Sequence, residues 1–151
     1  MFIEQWRLQF PEAKIIGSKG LEKKQPNLQI ENIQQKSDAF LPDIQTISIE
    51  GCPVLKENVF FHHPSNTLVV TDLFFYNPNV QGFTKGYFGL NKVLGEPNIP
   101  YLVKSSIKDR ERFLTSLQQL KKLDIQNISM CHHHILQNGA KEHIDRIIQS
   151  L

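Results

Sequence analysis

Two short stretches of this chain gather most of its metal-ligating side chains. His62 and His63 close the run Asn58-Val59-Phe60-Phe61-His62, and Cys131 is followed at once by His132, His133 and His134. Imidazole nitrogens and thiolates are the usual ligands of zinc and its neighbours in the first transition row. Ligands on loops at strand ends are also a common way to keep a coordination position open. Geometry limits this reading. Adjacent residues on a strand point to opposite faces, so at most one of His62 and His63 faces a given site. The three consecutive histidines likewise cannot all face one ion. Surface or hydrogen-bonded histidines account for the same pattern, and zinc-finger spacing is absent.

Asp72 lies inside an almost continuous apolar run, Leu68-Val69-Val70-Thr71-Asp72-Leu73-Phe74-Phe75. A carboxylate there is costly to bury unless it is paired, hydrogen-bonded or bound to a metal. The plainer reading is a strand-end aspartate whose oxygens accept from loop N–H groups. Glu57, just before the histidine-tipped run, reads either as a surface charge or as a buried partner of a lysine. Cys131 beside an imidazole has the elements of a Cys-His nucleophile, because a nearby imidazole stabilises a thiolate. No flanking signature supports it, and Cys52 lies in a Gly-Cys-Pro turn with no C-x-x-C spacing. Gly82, Gly86, Gly89 and Gly95 do not form a phosphate-binding loop.

The elements that must position these residues follow from periodicity. Ile3, Trp6 and Phe10 recur at helical spacing, and Pro11 ends that helix. No capping residue precedes it, so the chain reads as starting inside an element, a mark of N-terminal truncation. Ala13 to Gly17 reads as a short strand, Gly20 to Gln25 as a helical turn, and Leu28 to Ile30 as a further short strand. Ile44 to Glu50 alternates as a half-buried strand should. Asn58 to His62 and Thr67 to Leu73 read as a hairpin joined through His63-Pro64-Ser65-Asn66. Gly82 to Gly95 reads as a glycine-rich helix held by its aromatic face. Ser105 to Asp124 reads as one amphipathic helix capped by Ser105 or Ser106, with its Lys/Arg-rich face in solvent. Ile125 to Met130 is a strand, and Ala140 to Leu151 a final helix with Ile144, Ile147, Ile148 and Leu151 buried.

The chain has 151 residues, 40% hydrophobic and 21% charged, which is a globular composition sized for one domain, residues 1–151. Lys+Arg is 17 and Asp+Glu is 15, a net charge of +2, which argues against a nucleic-acid partner. No apolar run reaches membrane-span length, so no membrane partner is expected. The first residues show no basic region followed by an apolar one, and two cysteines are too few for a disulfide framework. Both observations point to a cytoplasmic protein.

Three stretches resemble a known family in their order and spacing. They are Trp6 to Leu21 (WRLQFPEAKIIGSKGL), Glu57 to Phe74 (ENVFFHHPSNTLVVTDLF), and Ile125 to Leu151 with its strand, histidine, Asn-Gly turn and helix. Together they resemble the C-terminal two-thirds of an uncharacterised protein family, a domain of unknown function, related to the metallo-β-lactamase fold. The resemblance implies an α+β fold: an αββα sandwich with metals at one edge between two sheets, here lacking the N-terminal half-sheet. It implies a β-hairpin followed by helices and a short C-terminal α/β unit.

In active members of that fold, an aspartate ending a hairpin strand bridges two metals, and a histidine after a late strand completes the site. The resemblance carries these roles to Asp72 and His132, with His63 and His133 as possible neighbours. The implied cofactor is zinc or iron, used to activate water for hydrolysis. The N-terminal ligand loop of the fold is missing here, and Gly51-Cys52-Pro53 stands where a further histidine is expected. The expectation for this chain is therefore an incomplete metal site, no bound metal and no hydrolase activity of its own. The alternative is a non-catalytic interaction module, a homodimer or a partner covering the exposed sheet edge. No small-molecule substrate is identified.

Overall fold

In the computed structural model, residues 3–36, 40–77, 80–90, 93–131 and 135–151 are described, with Phe83, Thr84 and Tyr87 as backbone only. The chain divides into two compact units, Met1–Ala39 and Phe40–Leu151. In the first, α1 (Ile3–Gln9) ends as the pattern predicts, and the Trp6 and Phe10 rings stack with centroids 5.7 Å apart. β1 (Ile15–Gly17) and β2 (Ile30–Asn32) pair in parallel, connected through α2 (Leu21–Lys24). The second strand begins two residues later than the sequence predicts. Leu28, the expected start, is instead a buried residue ahead of it.

The second unit is built on alternation. β3 (Ile44–Ser48), β4 (Asn58–His62) and β5 (Thr67–Val70) form an antiparallel meander. α3 (Phe83–Leu90), α4 (Tyr101–Ser105) and α5 (Arg110–Leu120) follow, and the chain then returns as β6 (Asn127–Met130), parallel to β5. β7 (Leu136–Gln137) pairs antiparallel with β6, and α6 (Ala140–Gln149) closes the chain. The sheet order is β3-β4-β5-β6-β7, a mixed five-stranded sheet, so the fold is α+β as expected.

Alternate residues of the sheet turn to one core. Val59, Phe61, Leu68, Val70, Ile128 and Met130 pack with Phe113, Leu117 and Leu120 of α5 and with Ile144, Ile147 and Ile148 of α6. Each fully buried aliphatic or aromatic side chain contributes about 1.5–3 kcal/mol relative to exposure. The opposite face carries the row Thr46, Phe60, Val69 and Ser129, set by the same register. The Phe40 ring meets Phe60 edge-on at 6.3 Å.

The structure differs from the sequence reading between α4 and α5, at the end of β5 and at β7. The helix expected over 105–124 is shortened to α5, Arg110–Leu120, because α4 ends at Ser105 and residues 106–109 form no helix. The Lys108 and Asp109 N–H groups donate to the Gly51 carbonyl at 2.9 and 3.0 Å, which takes them out of any continuous helix. Asp109, not Ser105 or Ser106, caps α5, its carboxylate accepting from the Arg112 N–H at 3.0 Å. β5 stops at Val70 because the chain bends at Thr71, although Leu73 and Phe74 remain fully buried. β7 has only two residues and carries no periodicity to read. Among the described residues, no helix is long and apolar enough to cross a membrane.

Candidate functional site

The parallel pairing of β5 and β6 decides which sequence candidates meet. Val70 pairs with Met130 at the ends of the two strands, so Thr71-Asp72 and Cys131 leave the sheet at the same edge. Neighbouring strands lie about 4.8 Å apart, which makes the two exits close neighbours. Asp72 and Cys131 are both exposed there. The buried aspartate that the apolar run implied is not found: the bend at Thr71 turns Asp72 to the surface, while Leu73 returns to the core. His132 follows Cys131 in the chain but lies outside the described residues, as do His133 and His134.

His63 is placed elsewhere. It opens a short 3-10 turn, His63–Ser65, at the start of β5, the end opposite to Asp72. Four strand residues separate the two ends by about 13 Å. The His63 ring meets Phe61 edge-on at 4.9 Å, and His62 Nδ1 shares a 2.7 Å hydrogen bond with Ser65 Oγ. Both histidines therefore have roles in the hairpin turn, and the structure does not bring them to Asp72.

The residue whose role sequence reasoning missed is Glu57. It is buried, 4% exposed, and its two oxygens accept from the Thr71 N–H at 2.5 Å and the Asp72 N–H at 3.0 Å. It fastens the backbone that presents Asp72 from the first turn before β4. Burial pushes its carboxyl above the ordinary glutamate range. The Thr71 and Asp72 N–H bonds pull the other way, and the nearby Asp72 charge adds to the rise. Of the two readings the sequence offered, the surface charge is wrong, and the partners of the buried group are backbone amides. The available signal was an acid placed directly before an alternating strand, where neither a turn nor a helix needs one.

Cys52 is a core residue, its sulfur 3.6 Å from Ser106 Oγ and 3.9 Å from the Val103 carbonyl. Cys131 is the exposed thiol.

A zinc site needs at least three protein ligands. Among the described residues, no group of three His, Cys, Asp or Glu side chains is placed to hold an ion. The sheet edge offers Asp72 and Cys131, and Glu57 is already engaged with two amides. The described donor set does not fit zinc or iron. No protein-family model matches the chain, and no curated protein matches it.

Proposed function

We propose that this chain is a metallo-β-lactamase-like domain of the hydrolase-like kind whose metal site is incomplete, so that it has no hydrolase activity of its own. In this reading the five-stranded sheet is one half of an αββα sandwich, and Asp72 and His132 are what remains of the ligand set. The observation that supports it is the Val70–Met130 pairing. It brings Asp72 and Cys131, the residue ahead of His132, to the same end of two neighbouring strands, which supports the arrangement the resemblance implies. The helices between β5 and β6, and the packing of α5 and α6 on one face, agree with such a half-sandwich.

Elemental analysis of untagged protein beside an Asp72→Ala variant tests this reading. The expected result is zinc and iron well below one equivalent in both proteins. Near-stoichiometric metal in the wild type that the variant loses would overturn the incomplete site and justify a hydrolase screen.

A further inference from the structure

β3 ends the sheet order, so among the described residues of the second unit one side of it has no neighbouring strand. The ladder fixes which backbone groups face that side. Ile49 N–H donates to the Glu57 carbonyl at 2.9 Å, and His63 N–H donates to the Asp43 carbonyl at 2.8 Å; both continue the β3–β4 register. Hydrogen-bonded pairs recur at every second residue of an antiparallel ladder. Gln45 and Ile47 therefore aim their backbone groups at β4, and Ile44, Thr46, Ser48 and Glu50 aim theirs outward. Glu50 agrees with this phase, because its N–H is taken by Ser116 Oγ of α5 at 3.0 Å. The Gly51 carbonyl, bonded to Lys108 and Asp109, closes the edge beyond it. Among the described residues of the second unit, no such cover is found over Thr46 and Ser48.

A groove of about 500 Å³ runs along this open stretch, between Thr46, Ser48 and Glu50 on the strand side and Glu111, Thr115 and Gln119 on α5. The Thr46 hydroxyl beside it is buried, with no hydrogen-bond partner among the described residues. Natural edge strands are blunted by charges, proline, bulges or a covering segment. Ile44-Gln45-Thr46-Ile47-Ser48 carries no charge and no proline, and its pairing with β4 is unbroken. In the groove, Arg112 is matched by Asp109 at 3.4 Å, which leaves the negative charge of Glu50 and Glu111.

We propose that the outer edge of β3 is a strand-addition site for an extended, basic segment of a partner protein. The segment's main chain pairs with Thr46 and Ser48, and its lysine or arginine side chains meet Glu50 and Glu111. Charge selects this occupant over a second copy of the chain, which would bring a groove of the same sign to the contact. This site on β3 uses neither Asp72 nor His132.

Two blocked six-residue peptides, one alternating lysine with valine and one alternating glutamate with valine, test it against the full chain by fluorescence anisotropy. The lysine peptide is expected to bind, more weakly as salt rises, and the glutamate peptide at least about tenfold more weakly. Thr46→Pro removes an outward N–H that the β4 ladder does not use and is expected to weaken binding about fivefold or more. Glu111→Lys, on the exposed face of α5, is expected to weaken it about as much and to flatten the salt dependence. Equal binding of the two peptides, or wild-type affinity in both variants, would overturn the proposal. So would a concentration-dependent dimer that Thr46→Pro dissolves, because the edge then belongs to a second copy. If circular dichroism shows Thr46→Pro unfolded, Glu111→Lys and the peptide comparison still decide.

Discussion

β5 begins in a turn made from its own neighbourhood. His62 bonds Ser65, the Ser65 hydroxyl donates to Thr67 Oγ1 at 2.8 Å, and Asn66 takes the left-handed φ of 48° that lets the chain reverse. The other end of β5 is held from fourteen residues away, where Glu57 accepts the Thr71 and Asp72 amides. The first set of bonds is exposed and the second is part-buried around a 4% exposed carboxylate. Bonds at a wet turn largely replace bonds to water, so each adds little. An amide left unpaired after burial loses its full solvation. The two ends of one strand thus stop it with similar geometry and very different stakes.

Removing the Glu57 carboxylate breaks the comparison most severely. Glu57→Ala leaves two amides without acceptors and a small void, an expected loss of about 3 kcal/mol in urea denaturation. A loss under about 1 kcal/mol would show that water enters and takes over both bonds. The same carboxyl carries a pH signature. Burial raises its folded pKa above the unfolded value, so the native state keeps this proton to higher pH. Its contribution is present in full below the ordinary glutamate value and is lost as pH rises through the raised folded value. The stability difference between wild type and Glu57→Gln is expected to fall across that window, and a flat difference would contradict the burial.

At the wet end, Ser65→Ala removes the hydroxyl shared by His62 and Thr67, with an expected loss of about 1 kcal/mol or less by the same denaturation. A loss matching that of Glu57→Ala would erase the contrast. Smallest of all is Asp72→Ala. Glu57 holds the Asp72 backbone amide, and the side chain is exposed, so the expected shift in stability is about 0.5 kcal/mol or less.

The same contrast explains what the sequence made legible. The hairpin Asn58–His62 and Thr67–Val70 announces itself through alternation and through Pro64, Ser65 and Asn66, residues whose turn chemistry is local. α1 and α6 are legible for the same reason, their apolar spacing and their terminators lying within a few residues. The break between α4 and α5 is not, because its cause is the carbonyl of Gly51, more than fifty residues upstream. A Cβ at Gly51 would stand 2.1 Å from the Asp109 carbonyl oxygen, so only glycine admits the approach. Within the candidate site, Asp72 was legible as a residue out of place in an apolar run. Its exposure was not, and neither was its dependence on Glu57. Both follow from a bend that places the Thr71 amide on the carboxylate of Glu57, just ahead of β4.

The parallel pairing of β5 with β6 also bears on what it costs to close the sheet. β3, β4 and β5 are joined by short connections and can close early. Thr67 and Asn127, by contrast, are partners sixty positions apart, and such a closure costs more chain entropy. By that cost the meander is expected to close ahead of β6, the lip held by Glu57 taking shape before the one that β6 brings.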